Sequence, residues 1–408
     1  MHDAHPEEQQ IERLVAEIRA NPAAFPNVEA LARAADLSES KLAEMFRTHY
    51  HNTPANFLVR TRIEAAQRDL LFSGSTIDIV ANTYGYTSLE HFQREFTRRS
   101  GMSPSDYQRL ADSSTFRLRL PSDYPTARVL AYLGRDPKSL TDRVEGDTWY
   151  STLRLNAEQG AVIRVRLAEG HAECAVLASA QPTTAQMARI HAHVLASLGL
   201  REDPHSFEAL VEGSPALAPL LEGQRGLRIP LIANPFDGLI WAITAQQITL
   251  GFAYTLRRRL IELTGQPLSH GLWLVPTPQQ LAQRSIEELA ALSFSRAKAR
   301  YLIENAQAVH DQRLPLEQLA QGTATRAERL LLAQRGIGPW SANYLMLRSF
   351  GFLDCVPLGD TGLTSGLQRF FKLEQRPDKS ATLQLMEQFR PYRSLATFHL
   401  WQRQSMPG

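Results

Sequence analysis

The stretch Leu332-Ala-Gln-Arg-Gly-Ile-Gly-Pro-Trp-Ser-Ala-Asn-Tyr344 constrains this chain more than any other. Gly336, Ile337 and Gly338 sit between two apolar-periodic segments, 326–334 and 340–350, and that spacing predicts a helix–hairpin–helix. The glycines let the backbone turn sharply, and Pro339 suits the first position of the second helix, where no amide hydrogen is needed. Amide groups left free at such a turn point outward, so Gly336, Ile337, Gly338 and Ser341 are candidates for holding a phosphate backbone. Downstream, in Pro-Leu-Gly-Asp-Thr-Gly-Leu, stands Asp360. It precedes another periodic run and is expected to cap a helix, whose N-terminus favours negative charge.

A chain of 408 residues is long enough for two or three domains, and 43% hydrophobic residues supply real cores. No apolar run reaches membrane-spanning length, and the polar start Met1-His-Asp-Ala-His is no signal peptide, so no membrane association is expected. Cys174 and Cys355 alone cannot build a disulfide framework, a four-thiolate zinc site or a four-cysteine iron–sulfur cluster, which fits a reducing cytoplasm. Charge is unevenly spread. Residues 1–112 hold 12 basic and 16 acidic residues, 113–226 hold 12 and 13, and 227–408 hold 20 and 13. The footprint that suits phosphate therefore lies around the hairpin.

Three segments are expected: 1–112, 113–205 and 206–408. The first reads as helical and repeats itself at an offset of 50, through Leu42/Phe92, Phe46/Phe96, Pro54/Pro104 and Phe57/Tyr107. Each half has a short helix, a tight turn and a second helix, so a tandem helix-turn-helix is expected, with residues 62–71 in the joining helix. Ser75 is the expected N-cap of the second half, and Gly85 the residue for positive φ in its turn. Ser38, Ser40, Lys41 and Glu44, with Ser88, Glu90, His91 and Arg94, would face base edges. After a polar break at 111–115, alternating segments predict an antiparallel sheet with helices near 127–132 and 185–198. From 206 onward the pattern is all helical. The fold class is thus multidomain and mainly α, with an α+β middle domain.

A carboxylate in a dry pocket can stabilise the positive sugar formed when an N-glycosidic bond breaks, and can orient a water for attack. Trp340 and Tyr344 are four residues apart and share a helix face. If that face lines the cavity near Asp360, it makes an electron-rich slot for a flipped, positively charged base. Gln246 and Gln247 read as amides inside an apolar helix, either satisfied in place or entering the duplex where a base leaves. His49 and His51, like His191 and His193, are expected to be solvated rather than metal ligands.

Residues 116–408 resemble the AlkA-type 3-methyladenine DNA glycosylases of the HhH-GPD superfamily. The resemblance runs through Arg225-Gly-Leu-Arg-Ile-Pro230, the Ala-Ile-x-x-Gln stretch at 242–246, Pro276-Thr-Pro278, the hairpin, Asp360, Arg390-Pro-Tyr-Arg-Ser394 and His399-Leu-Trp401. Residues 7–110 resemble the AraC-type DNA-binding domain, including Gly101-Met-Ser-Pro104 and Tyr107. Together they resemble regulator–glycosylase fusions, without the cysteine-rich methyl-acceptor domain. The resemblance implies an antiparallel-sheet AlkA N-terminal-like domain and an all-α HhH-GPD domain. It implies Asp360 as catalytic carboxylate, Trp340, Tyr344, Trp401 and Tyr132 as pocket walls, and Gln247 at the wedge position. It also implies a structural sodium or potassium ion at the carbonyls of Gln334, Gly336 and Gly338, with no required cofactor. Arg329 stands where bifunctional members carry a catalytic Lys, so simple hydrolysis is favoured. Gln247 and Thr361 depart from AlkA, which leaves excision of oxidised or deaminated bases as an alternative reading. A second alternative is a transcription regulator with a sensing glycosylase body. The expected partners are double-stranded DNA containing damaged bases and promoter DNA, for a monomer in the bacterial nucleoid.

Overall fold

The computed structural model describes residues 6–157, 159–178 and 180–404. By compactness the chain divides into two units, each discontinuous in sequence: residues 1–122 with 142–195, and 123–141 with 196–408. This division differs from the three segments expected, because residues 123–141, drawn from the expected middle segment, pack with the C-terminal unit.

In the first unit, helices at Val28–Ala34 and Glu39–Tyr50 form one helix-turn-helix, and those at Ile77–Thr83 and Leu89–Ser100 form the other. Asp36 (φ 54°) and Gly85 (φ 80°) supply the positive φ of the two turns. Ser38 and Ser88 cap the second helices by accepting the amides of Lys41 and His91, both at 3.2 Å. The cap position of the Ile77–Thr83 helix belongs to Thr76, not Ser75, whose carbonyl instead accepts the Gln108 side-chain amide at 3.0 Å. The joining helix, Pro54–Phe72, is longer than its apolar pattern suggested. Its buried Arg62 donates to the carbonyls of Pro22 and Phe25 at 3.3 and 2.5 Å, and its guanidinium lies beside Gly85.

The same unit contains a five-stranded antiparallel sheet: β1 (Thr115–Arg119), β2 (Asp142–Glu145), β3 (Thr148–Arg154), β4 (Gly160–Ala168) and β5 (His171–Leu177). The spatial order is β1-β5-β4-β3-β2. Register puts Phe116, Cys174, Val165 and Trp149 in one cross-strand row, all buried, so the period-2 pattern fixes which face is core. The short strand β2, hairpinned through Gly146, has no apolar alternation and was not anticipated. The polar stretch at 111–115 is no loose linker. A 3-10 turn (Arg109–Asp112) leads directly into β1, and Ser113 Oγ bonds the Thr115 carbonyl at 2.7 Å.

The helix-turn-helix domain packs on the β1 edge. The Arg119 amide donates to the Gly101 carbonyl at 2.7 Å, and a Cβ on Gly101 would lie 3.3 Å from Leu118. His191, on the Thr184–Ser197 helix, is 1% exposed rather than solvated. Its Nε2–H donates to the Ser100 carbonyl at 2.7 Å, and its ring meets Tyr107 at 5.0 Å and Phe116 at 5.9 Å. Burial pushes its pKa down to about 4, so it stays neutral. His49 is buried too, and His193 stacks on Trp149 with an interplanar angle of 7°.

The second unit is helical except for a two-stranded ribbon, β6 (Gln266–Pro267) with β7 (Trp273–Leu274), which the all-helical reading missed. Its main core gathers Phe236, Leu260, Leu302, Leu331 and Leu345 from five helices. A second cluster joins Phe207, Leu363, Leu367, Phe389 and Leu400, beneath the helix that follows Asp360. No helix among the described residues is long and apolar enough to cross a membrane.

Candidate active site

The hairpin joins the Ala324–Leu332 and Pro339–Leu345 helices, and Pro339 stands at the start of the second. Gly336 has φ 81°, and a Cβ there would lie 2.2 Å from the Tyr301 ring. Both conformation and space therefore demand glycine. Ser341, expected among the hairpin's DNA contacts, is 2% exposed. It sits inside the second helix, where its Oγ accepts the Gln246 side-chain amide at 2.8 Å. Ile337 is buried as well, so the Gly336–Gly338 turn offers backbone to the outside, beside the exposed Arg335 side chain.

Asp360 caps the Thr361–Phe370 helix, its Oδ1 accepting the Leu363 amide at 2.7 Å. The same oxygen accepts Trp401 Nε1 at 2.9 Å, and Oδ2 accepts Trp340 Nε1 at 2.9 Å. Two indoles thus grip the carboxylate from opposite elements. Gly362 makes this possible, because a Cβ there would stand 3.0 Å from both Asp360 Oδ1 and Trp401 Cδ1. Sequence reading passed over Gly362, although Asp-Thr-Gly carries the signal.

Aromatic residues gather beside this carboxylate. Trp340 and Tyr344 stack with centroids 5.3 Å apart at 30°, and Tyr344 lies 6.0 Å from Trp401. Trp241, missed by sequence reading inside a mostly apolar helix, donates Nε1–H to the Tyr344 hydroxyl at 2.8 Å. Burial pushes the Tyr344 phenol up to about 12, so it keeps its proton. Tyr132 joins through Phe398, 5.2 Å away, which in turn lies 6.5 Å from Trp401. The Tyr132 ring already carries two cations: Arg135 is 4.1 Å from its centroid and Arg348 is 4.9 Å. Arg348 is 1% exposed, with Nε and Nη1 sealed and without hydrogen-bond partners among the described residues. Its position in the Met346–Phe350 π-helical turn gave no sequence signal.

Two of the separated motifs hold this constellation in place. Arg393 clasps the buried Asp354 with two bonds of 2.7 Å, and Ser394 bonds the Phe352 carbonyl and the Cys355 amide at 2.7 and 3.0 Å. The start of the Arg393–Gln404 helix is thereby fixed to the segment that leads to Asp360, which sets where Trp401 falls. Arg228, 4% exposed, lies 3.3 Å from Asp123, and a Cβ on Gly226 would lie 2.1 Å from the Asp123 carbonyl oxygen. That contact seats the segment carrying Tyr132. Asp123, His205 and Glu208 also place one donor atom each within 4.8 Å of one another, but Arg228 already supplies positive charge there.

The glutamine pair is not within a helix. Both residues lie in the turn between the Pro235–Thr244 and Leu250–Thr264 helices. Gln246 points to the hairpin, bonding Gly336 O and Ser341 Oγ at 2.8 Å each, and so is not free to enter a duplex. Gln247 is exposed, with φ 54°. The expected cation-binding carbonyls all accept protein hydrogen bonds: Gln334 from the Ile337 amide, Gly336 from Gln246 and Gly338 from the Ala342 amide. An ion there would share those oxygens.

In the helix-turn-helix domain, Ser40, His91 and Arg94 are exposed. Lys41 is engaged by Glu7 at 2.9 Å and Glu44 at 3.5 Å. Ser38 and Ser88 spend their hydroxyls on capping, which leaves them less to offer a base edge.

A helix–hairpin–helix followed by a clamped aspartate defines a class, and comparison with known proteins gives the same one. Residues 240–391 match the family model of HhH-GPD superfamily base excision DNA repair proteins, residues 115–234 that of the AlkA N-terminal domain, and residues 31–110 that of a helix-turn-helix domain. The DNA-3-methyladenine glycosylase of Bacillus subtilis is 30% identical over 205 residues, which is 50% of this chain and 68% of that protein. DNA-3-methyladenine glycosylase 2 of Escherichia coli is 31% identical over 214 residues, 52% of this chain and 72% of that one. The solved 3-methyladenine DNA-glycosylase of Archaeoglobus fulgidus shares the fold with a TM-score of 0.62 at 20% identity, over 71% of this chain and 98% of its own. The chain belongs to the DNA-3-methyladenine glycosylase family.

Proposed function

We propose that the chain is a monofunctional glycosylase that flips an alkylated purine of the 3-methyladenine or 7-methylguanine type out of duplex DNA and hydrolyses its glycosidic bond. The observation that carries this reading is the Asp360 carboxylate, held by Trp340 and Trp401 at the edge of a stack that includes Tyr344. A fixed carboxylate beside the sugar stabilises the cationic transition state and orients the attacking water. Aromatic faces accept a flipped base, with extra gain for a cationic one. The hairpin's outward backbone would hold a phosphate beside the lesion.

Monofunctional chemistry is favoured because neither hairpin helix, Ala324–Leu332 or Pro339–Leu345, carries a lysine that could form a Schiff base with the sugar. On the rim, Lys379 is exposed, with its Cε 3.9 Å from where a Cβ on Gly359 would lie. Product analysis decides the point. Incubation with a duplex holding one 7-methylguanine yields an intact abasic strand under this reading, and a borohydride-trapped adduct or nicked strand contradicts it. A panel adding hypoxanthine and 8-oxoguanine distinguishes alkylated from deaminated or oxidised substrates.

The exposed face of the Leu89–Ser100 helix favours a second role for the N-terminal domain, in promoter binding. Footprinting on the gene's own promoter at moderate salt tests it, and absence of a protected site counts against it. A monovalent ion at the hairpin would act by steadying its carbonyls, and no step is assigned to it.

A further inference from the structure

Gln247 holds φ 54° on an exposed turn. A non-glycine residue stays in that region only when its surroundings over-determine it. Here one helix, Arg296–His310, does so. Lys298 donates Nζ to the Thr244 carbonyl at 2.8 Å and to the Gln246 carbonyl at 2.5 Å. The Thr244 carbonyl ends the Pro235–Thr244 helix and that of Gln246 lies in the turn just beyond it, where a cation is favoured by the helix dipole. Among the described residues Lys298 pairs with no carboxylate, so its half-buried charge is answered by those carbonyls. The Gln246 side chain leaves the turn towards the hairpin, bonding Gly336 O and Ser341 Oγ. The same helix backs that hairpin. Tyr301 fills the space beside Gly336, and Asn305 Nδ2 donates to the Arg335 carbonyl at 3.0 Å.

We propose that Lys298 is a positioning residue for base eversion. It fixes the turn that presents Gln247 to the duplex, and through Gln246 it locks that turn to the hairpin, so that the phosphate grip and the base-displacing residue move as one body. The proposal rests on the glycosylase reading above. Ordering the turn in advance removes its entropy cost from the flipping step, so loss of Lys298 should lower the rate of excision more than the affinity for DNA.

The test uses the full chain. In Lys298→Met, amide hydrogen exchange across residues 245–249 is expected to accelerate about tenfold while exchange in the Arg296–His310 helix holds. Unchanged exchange in the turn overturns the clamp whatever the enzyme's substrate. In single-turnover excision from methylated duplex, Lys298→Met is expected to lose about 10- to 100-fold in rate with affinity within about threefold, and Lys298→Arg to recover most of it. In a Gln247→Ala background the lysine change should add little, and a fully multiplicative loss would overturn the proposal. If Lys298→Met does not fold, Lys298→Gln replaces it and is read by the same criteria. A wild-type protein that releases no base contradicts the glycosylase reading, and the exchange measurement still decides the clamp.

Discussion

Three N–H donors converge on Asp360, two from indoles and one from the helix it caps. Each fixes an oxygen of the carboxylate. Trp401→Phe keeps an aromatic wall and deletes one of these bonds. A hydrogen bond to a charged group contributes about 1.5–3 kcal/mol, so the single-turnover rate should fall by roughly 10- to 100-fold. A rate within about twofold of wild type would show that the indole serves only as a wall. Gly362→Ala tests the same geometry from behind, because the added methyl meets both Asp360 and Trp401. Base release should fall with little change in DNA affinity, and an unchanged rate would mean that the helix start yields freely. Asp360 as a helix cap and the shared face of Trp340 and Tyr344 were legible from spacing, whereas Trp401 and Tyr132 entered only through the family resemblance. Trp241 and Arg348 were not, and Gly362 was passed over despite its signal. A buried arginine whose guanidinium lies among Tyr132 and Phe398 rings has the sequence appearance of any helical arginine.

Elements explain why scattered motifs recur together. The Arg393–Gln404 helix is fixed by Asp354, 4% exposed, whose loss would leave Arg393 only its longer contact with Glu387 at 3.8 Å. Asp354→Ala should cost about 3 kcal/mol in urea denaturation, and a change below about 1 kcal/mol would contradict a structural role for the pair. His191 gives a pH signature to the packing of the helix-turn-helix domain on β1. Its folded pKa, about 4, lies below its ordinary value of 6.5. The unfolded chain therefore takes up a proton over that interval while the folded chain does not. Its contribution is complete above pH 6.5 and is lost as pH falls towards 4, by up to about 3 kcal/mol. His191→Gln, which can still donate to the Ser100 carbonyl, should flatten the stability of wild type between pH 7 and 4.5. An identical acid sensitivity in the variant would remove His191 from the account. Helix-turn-helix pairs and alternating strands were legible because period and caps are local. The glutamine turn was misread as helix because its left-handed residue is Gln247, a side chain that gives no turn signal.

At the scale of the molecule, the sequence divides by pattern and the structure divides by contact. Residues 123–141 read as part of the middle segment but lie with the C-terminal unit, held there by Arg228 and by the glycine beside it. That partnership spans about a hundred residues and leaves no periodic trace. The excess of basic over acidic residues in 227–408 bears on salt dependence. A grip on two to four phosphates predicts a loss of roughly 10- to 150-fold in affinity for duplex DNA between 50 and 200 mM salt, and a flat response would contradict it. The central claim is that one fixed carboxylate drives removal of an alkylated base. Its most direct test is release of 3-methyladenine and 7-methylguanine from methylated duplex by wild type and Asp360→Asn under single-turnover conditions. The account predicts release by wild type, and a variant that binds the same duplex but is slower by about a thousandfold, roughly 4 kcal/mol of barrier. An Asp360→Asn protein as active as wild type would contradict it.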